Sequence, residues 1–345
     1  MMAKRGILLM NIGTPDEPTV RSVRNYLREF LLDPEVISIP ALFRHMLVRG
    51  IILRTRPKKI APLYKKIWME GGSPLRVYTN RISEALEENL EGIKCEVGMR
   101  YGNPSIREGL EKLRAAGVDE ILLAPLFPHS AQATTGSALG QAHKQIKKMG
   151  WGPIISELDS FPADPAYIEP LANSIKPHLG DGKHLLFSYH GLPVSHLKKS
   201  DTSKKHCQKI SNCCSIDSEG NKNCYARHCM ITTLSVVGAL AIKENEYSVS
   251  YQSRLGPTKW IEPSTTQMVE NLAKEGHKKI VIVSPAFLAD GLETLEELDI
   301  QIREHFYQHG GEELTVVKCL NDDQKWIEGL SQMVNGSFKV STPSN

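Results

Sequence analysis

The chain has 345 residues, 41% of them hydrophobic, which suits two domains with cores of their own. Its 42 basic and 39 acidic side chains leave a net charge of +3, too mild an excess to argue for a nucleic-acid partner. No apolar run reaches the roughly 18 residues of a membrane span.

Gly6–Ile12 is a short apolar run that passes straight into Gly13-Thr14-Pro15. With so brief an apolar stretch behind Lys4-Arg5, it reads as a first strand rather than a leader, and the chain as cytoplasmic. Val36–Leu53 is apolar, broken by Arg44, His45 and Arg49 and followed by Arg54, Arg56, Lys58 and Lys59. It fits either a core helix or an apolar face with basic flanks that dips into an anionic membrane surface. Val97–Pro104 then opens a helix that leads to Ala116–Asp119 and the strand Glu120–Phe127. The pattern breaks near Leu158–Pro170, so a first domain is expected over 1–163 and a second over 164–321. In the second half, Leu185–Pro193 and Ile280–Phe287 are strands running into loops with ionisable groups. Leu314–Cys319 reads as a strand, and the amphipathic stretch around 322–336 as a last helix packing back on the first domain. Ser341–Asn345 is expected to be disordered.

The halves repeat one another. Gly6–Pro15 mirrors Leu185–Pro193, Met99-Arg100-Tyr101 stands before one strand as Gln252-Ser253-Arg254 stands before the other, and Pro125 and Phe127 match Pro285 and Phe287. Alternating strands and helices imply an α/β fold of two similar Rossmann-like domains, each with a parallel sheet flanked by helices, facing one another across a cleft. Ligands of such sheets bind beyond the carboxyl ends of the strands.

At those ends the copies differ. The second has His190 where the first has Ile12, and Glu293-Thr294 where the first has Ala133-Thr134. A group needed only for folding serves equally in both copies, so the difference favours chemistry. A strand-end histidine can also simply bond a loop, and acids at a helix start can simply satisfy amides. Asp290, Glu293 and Glu297, however, are spaced to share a helical face, where like charges repel unless a cation visits. Oxygen-rich ladders suit hard or borderline divalent metals. Five of the seven cysteines, Cys207, Cys213, Cys214, Cys224 and Cys229, fall in one segment. In a reducing compartment such clustering points to metal, although the spacings are poor for zinc knuckles. Cys95 and Cys319 lie near strands and read as buried hydrophobes.

From Gly6 to Gly329 the chain resembles the ferrochelatases. The resemblance rests on Asn11–Pro15, Gly71–Leu75, Met99–Tyr101, Thr134–Ser137, Ser188–Pro193, Gln252–Trp260 and Glu293–Leu295, in that order and spacing. It implies two chelatase-type domains around a porphyrin cleft and insertion of ferrous iron into a porphyrin. His190 would take pyrrole protons or meet the incoming metal, and neutral imidazole, with a pKa of about 6.5, suits the first duty at cellular pH. Glu293 would face it, with Glu297 and Asp290 relaying iron or protons. Arg100 and Tyr101 match positions lining the pocket, where an arginine can hold a propionate, with a structural salt bridge as the plain alternative. Phe287 and Ile12 would supply apolar wall.

Two departures stand out. Gly291 replaces a histidine found in many relatives, and Ile12 replaces the tyrosine of coproporphyrin-using enzymes, which favours protoporphyrin IX. Some relatives carry a [2Fe–2S] cluster on cysteines in this internal segment. Four thiolates are needed, here expected from Cys207, Cys214, Cys224 and Cys229 with Cys213 as the alternative to Cys214, while Lys198, Lys199, Lys204 and Lys205 offset the charge. The segment 36–59 borders the active-site mouth in the family, which suits peripheral membrane contact. A coproporphyrin III enzyme, a chelatase loading another metal into another tetrapyrrole, and a non-catalytic haem or cluster sensor are the competing readings. Monomer and homodimer both fit.

Overall fold

The computed structural model describes residues 3–180, 182–254 and 256–338, so the expectation for Ser341–Asn345 lies outside the described residues. The chain divides into two compact units, one of Met1–Leu126, Ala133–Asp159 and Asp322–Asn345, the other of Phe127–Gln132 and Ser160–Asn321.

In the first unit, β1 (Arg5–Gly13), β2 (Lys94–Tyr101), β3 (Glu120–Pro125) and β4 (Ile154–Glu157) form a parallel sheet in the order β2-β1-β3-β4. Helices cover this sheet, so its central strands are apolar without alternation: Ile7, Leu8, Leu9 and Met10 are all fully buried. Burying each such side chain contributes roughly 1.5–3 kcal/mol. The helix after β2, Ile106–Ala115, begins at a reciprocal capping box between Ser105 and Glu108. The last helix, Gln324–Ser337, packs on Pro74–Asn89 and β3, with Trp326 fully buried and Arg81 ion-paired to Asp322 at 3.1 Å.

Val36–Leu53 gives the core only Val48 and Leu53. It becomes a short helix, Ala41–Leu47, then a π-turn, Val48–Ile52, which continues into Leu53–Ile67. Only Arg44 and Val48 point inward from its first two turns, the guanidinium donating to the carbonyls of Ile37 and Ile39. Leu42, Phe43, Met46 and Ile51 are each more than 60% exposed.

The second unit repeats the plan. Strands β5 (His184–His190), β6 (Tyr247–Gln252), β7 (Lys279–Val283) and β8 (Glu313–Val316) are parallel in the order β6-β5-β7-β8, so the expected duplication is realised strand for strand. Its core gathers Leu186, Ile280, Ile282, Leu298, Phe306 and Leu314. The last strand is shorter than the expected 314–319. After the Val317 amide bonds Ile282 the chain turns, and Cys319 and Asn321 reach Asp290 instead. No helix among the described residues is long and apolar enough to cross a membrane.

Candidate active site

His190 ends β5 in register with Gln252, which ends β6. The strands close tightly here. The Gly191 amide bonds the Gln252 carbonyl at 2.7 Å, and a Cβ on Gly191 would sit 2.7 Å from that same oxygen, so no other residue fits without displacing backbone. Gly13, the counterpart in the first unit, is bound by the same rule against Tyr101, with φ at +104°.

The half-buried His190 ring has its Nδ1 2.7 Å from the Gly191 carbonyl oxygen. A carbonyl can only accept, so Nδ1 carries the proton, and in the neutral ring Nε2 carries the lone pair. The Tyr225 hydroxyl donates to the His190 carbonyl at 2.8 Å, and the Phe287 ring lies 6.1 Å from the imidazole. The first holds the backbone and the second flanks the ring, and neither uses Nε2.

The acidic segment is a π-helix, Glu293–Ile302. Its i→i+5 bonds widen the turn, so residues four apart share a face whereas residues three apart do not. Such turns are rare and often sit at functional sites. Glu293 and Glu297 therefore stand on one face. Gln132–Gly136 is a π-turn at the matching point of the first copy, but without acids. Ser253, in the left-handed region at φ 64°, donates its amide to Glu297 Oε1 at 2.8 Å and its hydroxyl to Oε2. A non-glycine residue held there costs of order 1 kcal/mol and is a hallmark of built sites. Burial pushes the Glu297 acid upward, with the Glu293 charge adding to it, while Ser253 and His190 pull the other way. The three ionisable groups thus share one electrostatic environment.

Gln252 locks this corner. Its Oε1 accepts from the Ser188 hydroxyl at 2.6 Å and the Ser284 hydroxyl at 3.3 Å, and its amide donates to the Glu293 carbonyl at 3.1 Å. At Gly291 a Cβ would come 3.2 Å from Glu293 Oε2, so the missing histidine leaves that carboxylate room. The positioning roles of Gln252 and Ser253 are absent from the expectations above, although both lie in the Gln-Ser-Arg stretch that the repeat singled out.

Asp290 is not part of this group. It is 2% exposed and precedes the π-helix, where its Oδ1 accepts from Thr294 at 2.8 Å and the Cys319 amide at 3.3 Å, and its Oδ2 from Asn321 at 2.7 Å. Both oxygens are engaged in fold contacts, which suits a structural clamp. Glu296 is likewise buried and accepts from Gln301.

In the first unit, Ile12 is half-buried at the end of β1. Arg100 pairs with Asp33 and donates Nε to Ser137 Oγ at 2.7 Å, with its guanidinium 4.5 Å from the Tyr101 ring. Tyr101 is 1% exposed and donates to Asp33 at 2.8 Å. Burial raises the Asp33 acid, but bonds from Glu35, Ser137 and Tyr101 and the charge of Arg100 outweigh it and hold the carboxyl low. The arginine is ion-paired, the plain alternative weighed for it, and the tyrosine ring lies behind the surface.

The cysteine segment is a loop knit by polar side chains. Asp201 accepts from the amides of Ser203, His206 and Cys207. Asn221 donates to the Cys213 and Ile216 carbonyls at 2.8 and 2.7 Å, and Arg227 to the Cys214 carbonyl at 2.7 Å. Cys207, Cys213, Cys214 and Cys224 act on one another. Burial and the neighbouring thiols push Cys207 up to about 11, while the Cys214 thiol and the amides at the start of the helix Tyr225–Leu240 pull Cys224 down. Cys229, the fifth, is fully buried against Tyr225 and within electrostatic reach of Tyr167, Tyr189 and Tyr251. Cys213 and Cys214, the open pair of the expected set, lie together in this loop, while Cys229 faces the tyrosine core. Cys95 is buried as expected, and burial raises it to about 12.

A model of the ferrochelatase family matches residues 4–337. The ferrochelatase of Bdellovibrio bacteriovorus is 40% identical over 336 residues, spanning 96% of this chain and 99% of the relative. That of Coxiella burnetii is 42% identical over 342 residues, spanning 98% and 95%. Among solved structures, the sirohydrochlorin chelatase SirB from Bacillus subtilis subspecies spizizenii in complex with cobalt superposes with a TM-score of 0.55 over 97% of this chain and 95% of that one. At 10% identity that is a likeness of fold.

Proposed function

The chain belongs to the ferrochelatase family and inserts iron into a porphyrin, and on that premise we propose that its porphyrin is protoporphyrin IX and that His190 Nε2 is the acceptor of the pyrrole protons. The observation that carries the assignment is the Nδ1–H bond to the Gly191 carbonyl, which leaves the Nε2 lone pair as the ring's reactive face.

Ferrous iron replaces two pyrrole protons, so the site must accept two in turn. In this reading His190 takes each at Nε2 and hands it to Glu297 or Glu293 on the adjoining π-helix face. The upward shift of Glu297 supports it, since a carboxyl whose affinity for a proton is raised by burial is a better acceptor from imidazolium. Glu293, beside the room left by Gly291, is the carboxylate proposed to meet the iron. Phe287, whose ring lies 6.1 Å from that of His190, supplies apolar wall. The apolar Ile12, half-buried at the end of β1, supports protoporphyrin over the more carboxylated coproporphyrin III.

The cofactor proposed is a [2Fe–2S] cluster on Cys207, Cys213, Cys214 and Cys224. What supports it is the chemistry of the donor set, four thiols on one short segment whose loop Asp201, Asn221 and Arg227 pre-organise. When bound, the cluster supplies a one-electron redox centre and a covalent staple of the loop. The enzyme is proposed to work in the cytoplasm at the membrane periphery, where Leu42, Phe43, Met46 and Ile51 offer an exposed apolar face flanked by Arg49, Arg54, Lys58 and Lys59.

Anaerobic turnover with ferrous iron, run in parallel on protoporphyrin IX and coproporphyrin III and followed by absorbance, tests the substrate. A higher kcat/KM for protoporphyrin is expected; a preference for coproporphyrin III overturns the assignment.

A further inference from the structure

We propose that Glu270, His305 and His309 form a binding site for a divalent transition cation of the zinc type, distinct from the strand-end site. Glu270 lies on the helix Thr265–Lys274, His305 on Arg303–Gln308, and His309 directly after it. The Nε2 atoms of both histidines stand 3.9 Å from Glu270 Oε2, and the rings are 4.3 Å apart. Three donors of a tetrahedral ion, bound at about 2.0–2.1 Å, lie roughly 3.3 Å from one another, so each histidine-to-carboxylate leg needs to shorten by only about half an ångström.

The donors are already oriented. His309 Nδ1 is 2.8 Å from the His305 carbonyl oxygen and must donate to it, which leaves the lone pair of the neutral ring on Nε2, facing the carboxylate. His305 Nε2 is buried and has no hydrogen-bond partner. A plain structural role for the pair leaves that nitrogen unexplained, because 3.9 Å is too long for a hydrogen bond to Glu270. Lys274 holds the other oxygen, Oε1, at 2.5 Å, which turns Oε2 toward the rings. Histidines four apart at a helix end, with a carboxylate across from them, resemble the four-residue histidine spacing of recurrent zinc sites. Imidazole with one carboxylate selects zinc, copper, nickel or ferrous iron over magnesium or calcium. Three protein donors leave a fourth position for water. The bound ion would tie the end of the acidic π-helical segment to its neighbouring helix, at the opposite end of that segment from Glu293.

The test is equilibrium dialysis of the full, cluster-containing chain against micromolar Zn²⁺, with His305→Ala/His309→Ala and Glu270→Gln compared with wild type, alongside thermal melts with and without metal. Wild type is expected to hold one zinc more per chain than the double variant and to show a larger zinc-induced rise in melting temperature, with Glu270→Gln weakening the site at least tenfold. Should the double variant not fold, Glu270→Gln decides alone, and Cu²⁺ electron paramagnetic resonance on the His190→Ala chain adds a direct reading. Coupling to two imidazole nitrogens supports the site. Equal stoichiometry and equal melting shifts in wild type and variants, or no two-nitrogen signal, overturn it.

Discussion

Replacing Asp290 separates a clamp from an iron relay. Its carboxyl accepts from the Thr294 hydroxyl, the Cys319 amide and the Asn321 side chain, and it is 2% exposed. In Asp290→Ala three buried donors lose their acceptor. An unsatisfied buried group costs about 1–3 kcal/mol, and because the three share one network the costs do not add fully. A loss of about 3–5 kcal/mol is expected, with the fall confined to the second unit. At roughly 2–4 °C per kcal/mol for a unit of this size, the melting temperature should drop by about 6–20 °C. Asp290→Asn is the finer probe: an amide in place of Oδ2 would point a donor at the Asn321 donor, so stability should still fall by about 2 kcal/mol. Denaturant titration followed by far-ultraviolet circular dichroism measures the loss, and kcat and KM for ferrous iron are measured well below the melting temperature. Both variants should be destabilised yet turn over at near wild-type rate per folded molecule. A stable Asp290→Asn protein with a raised KM for iron would refute the clamp and restore the relay.

Stability should fall with acid below about pH 6.5. Burial, with the charge of a neighbouring histidine, lowers His129 to about 3 and His184 to about 4. Unfolded histidine protonates near 6.5, so between these values the unfolded chain binds more protons and each step down in pH favours it. Melting curves from pH 7.5 to 4.5 should show the decline and His184→Gln should flatten it; a pH-independent melt contradicts the assignment. Cys213→Ser should bleach the visible absorption of the purified protein while Cys229→Ser keeps it, and the reverse pattern would return Cys229 to the ligand set. Leu42→Asp with Phe43→Asp should weaken sedimentation with anionic vesicles at least tenfold without changing turnover in detergent; unchanged binding would remove this face from membrane contact.

The duplication and both sheets were legible because the central strands, buried on two faces, are plain apolar runs such as Ile7–Met10 and Ile280–Val283. The asymmetry between His190 and Ile12 was legible for the same reason, since equivalent strand ends can be compared directly. Partnerships across long stretches of chain were not. That Asn321 claims Asp290 from 31 positions away, or that Asp33 claims Arg100 from 67, depends on where loops return. The acids at 293 and 297 suggested one face, but an α-helical period also placed Asp290 there; the helix begins only after it, so Asp290 stands in the preceding turn, bonded to Thr294 and Asn321. For the cysteines, spacing gave a segment but not the direction of each thiol. Cys229 lies one turn into a helix with its thiol against the tyrosine core, whereas Cys224 caps that helix and turns to the loop.

The central claim, that His190 Nε2 accepts the pyrrole protons, is tested most directly with His190→Ala in a single anaerobic experiment that records protoporphyrin binding by fluorescence and haem formation by absorbance. Loss of a positioned base costs about 10²–10⁴ in rate. The account predicts binding within a few-fold of wild type, turnover at least a hundredfold slower, and partial rescue by added imidazole. Turnover within threefold of wild type would contradict it.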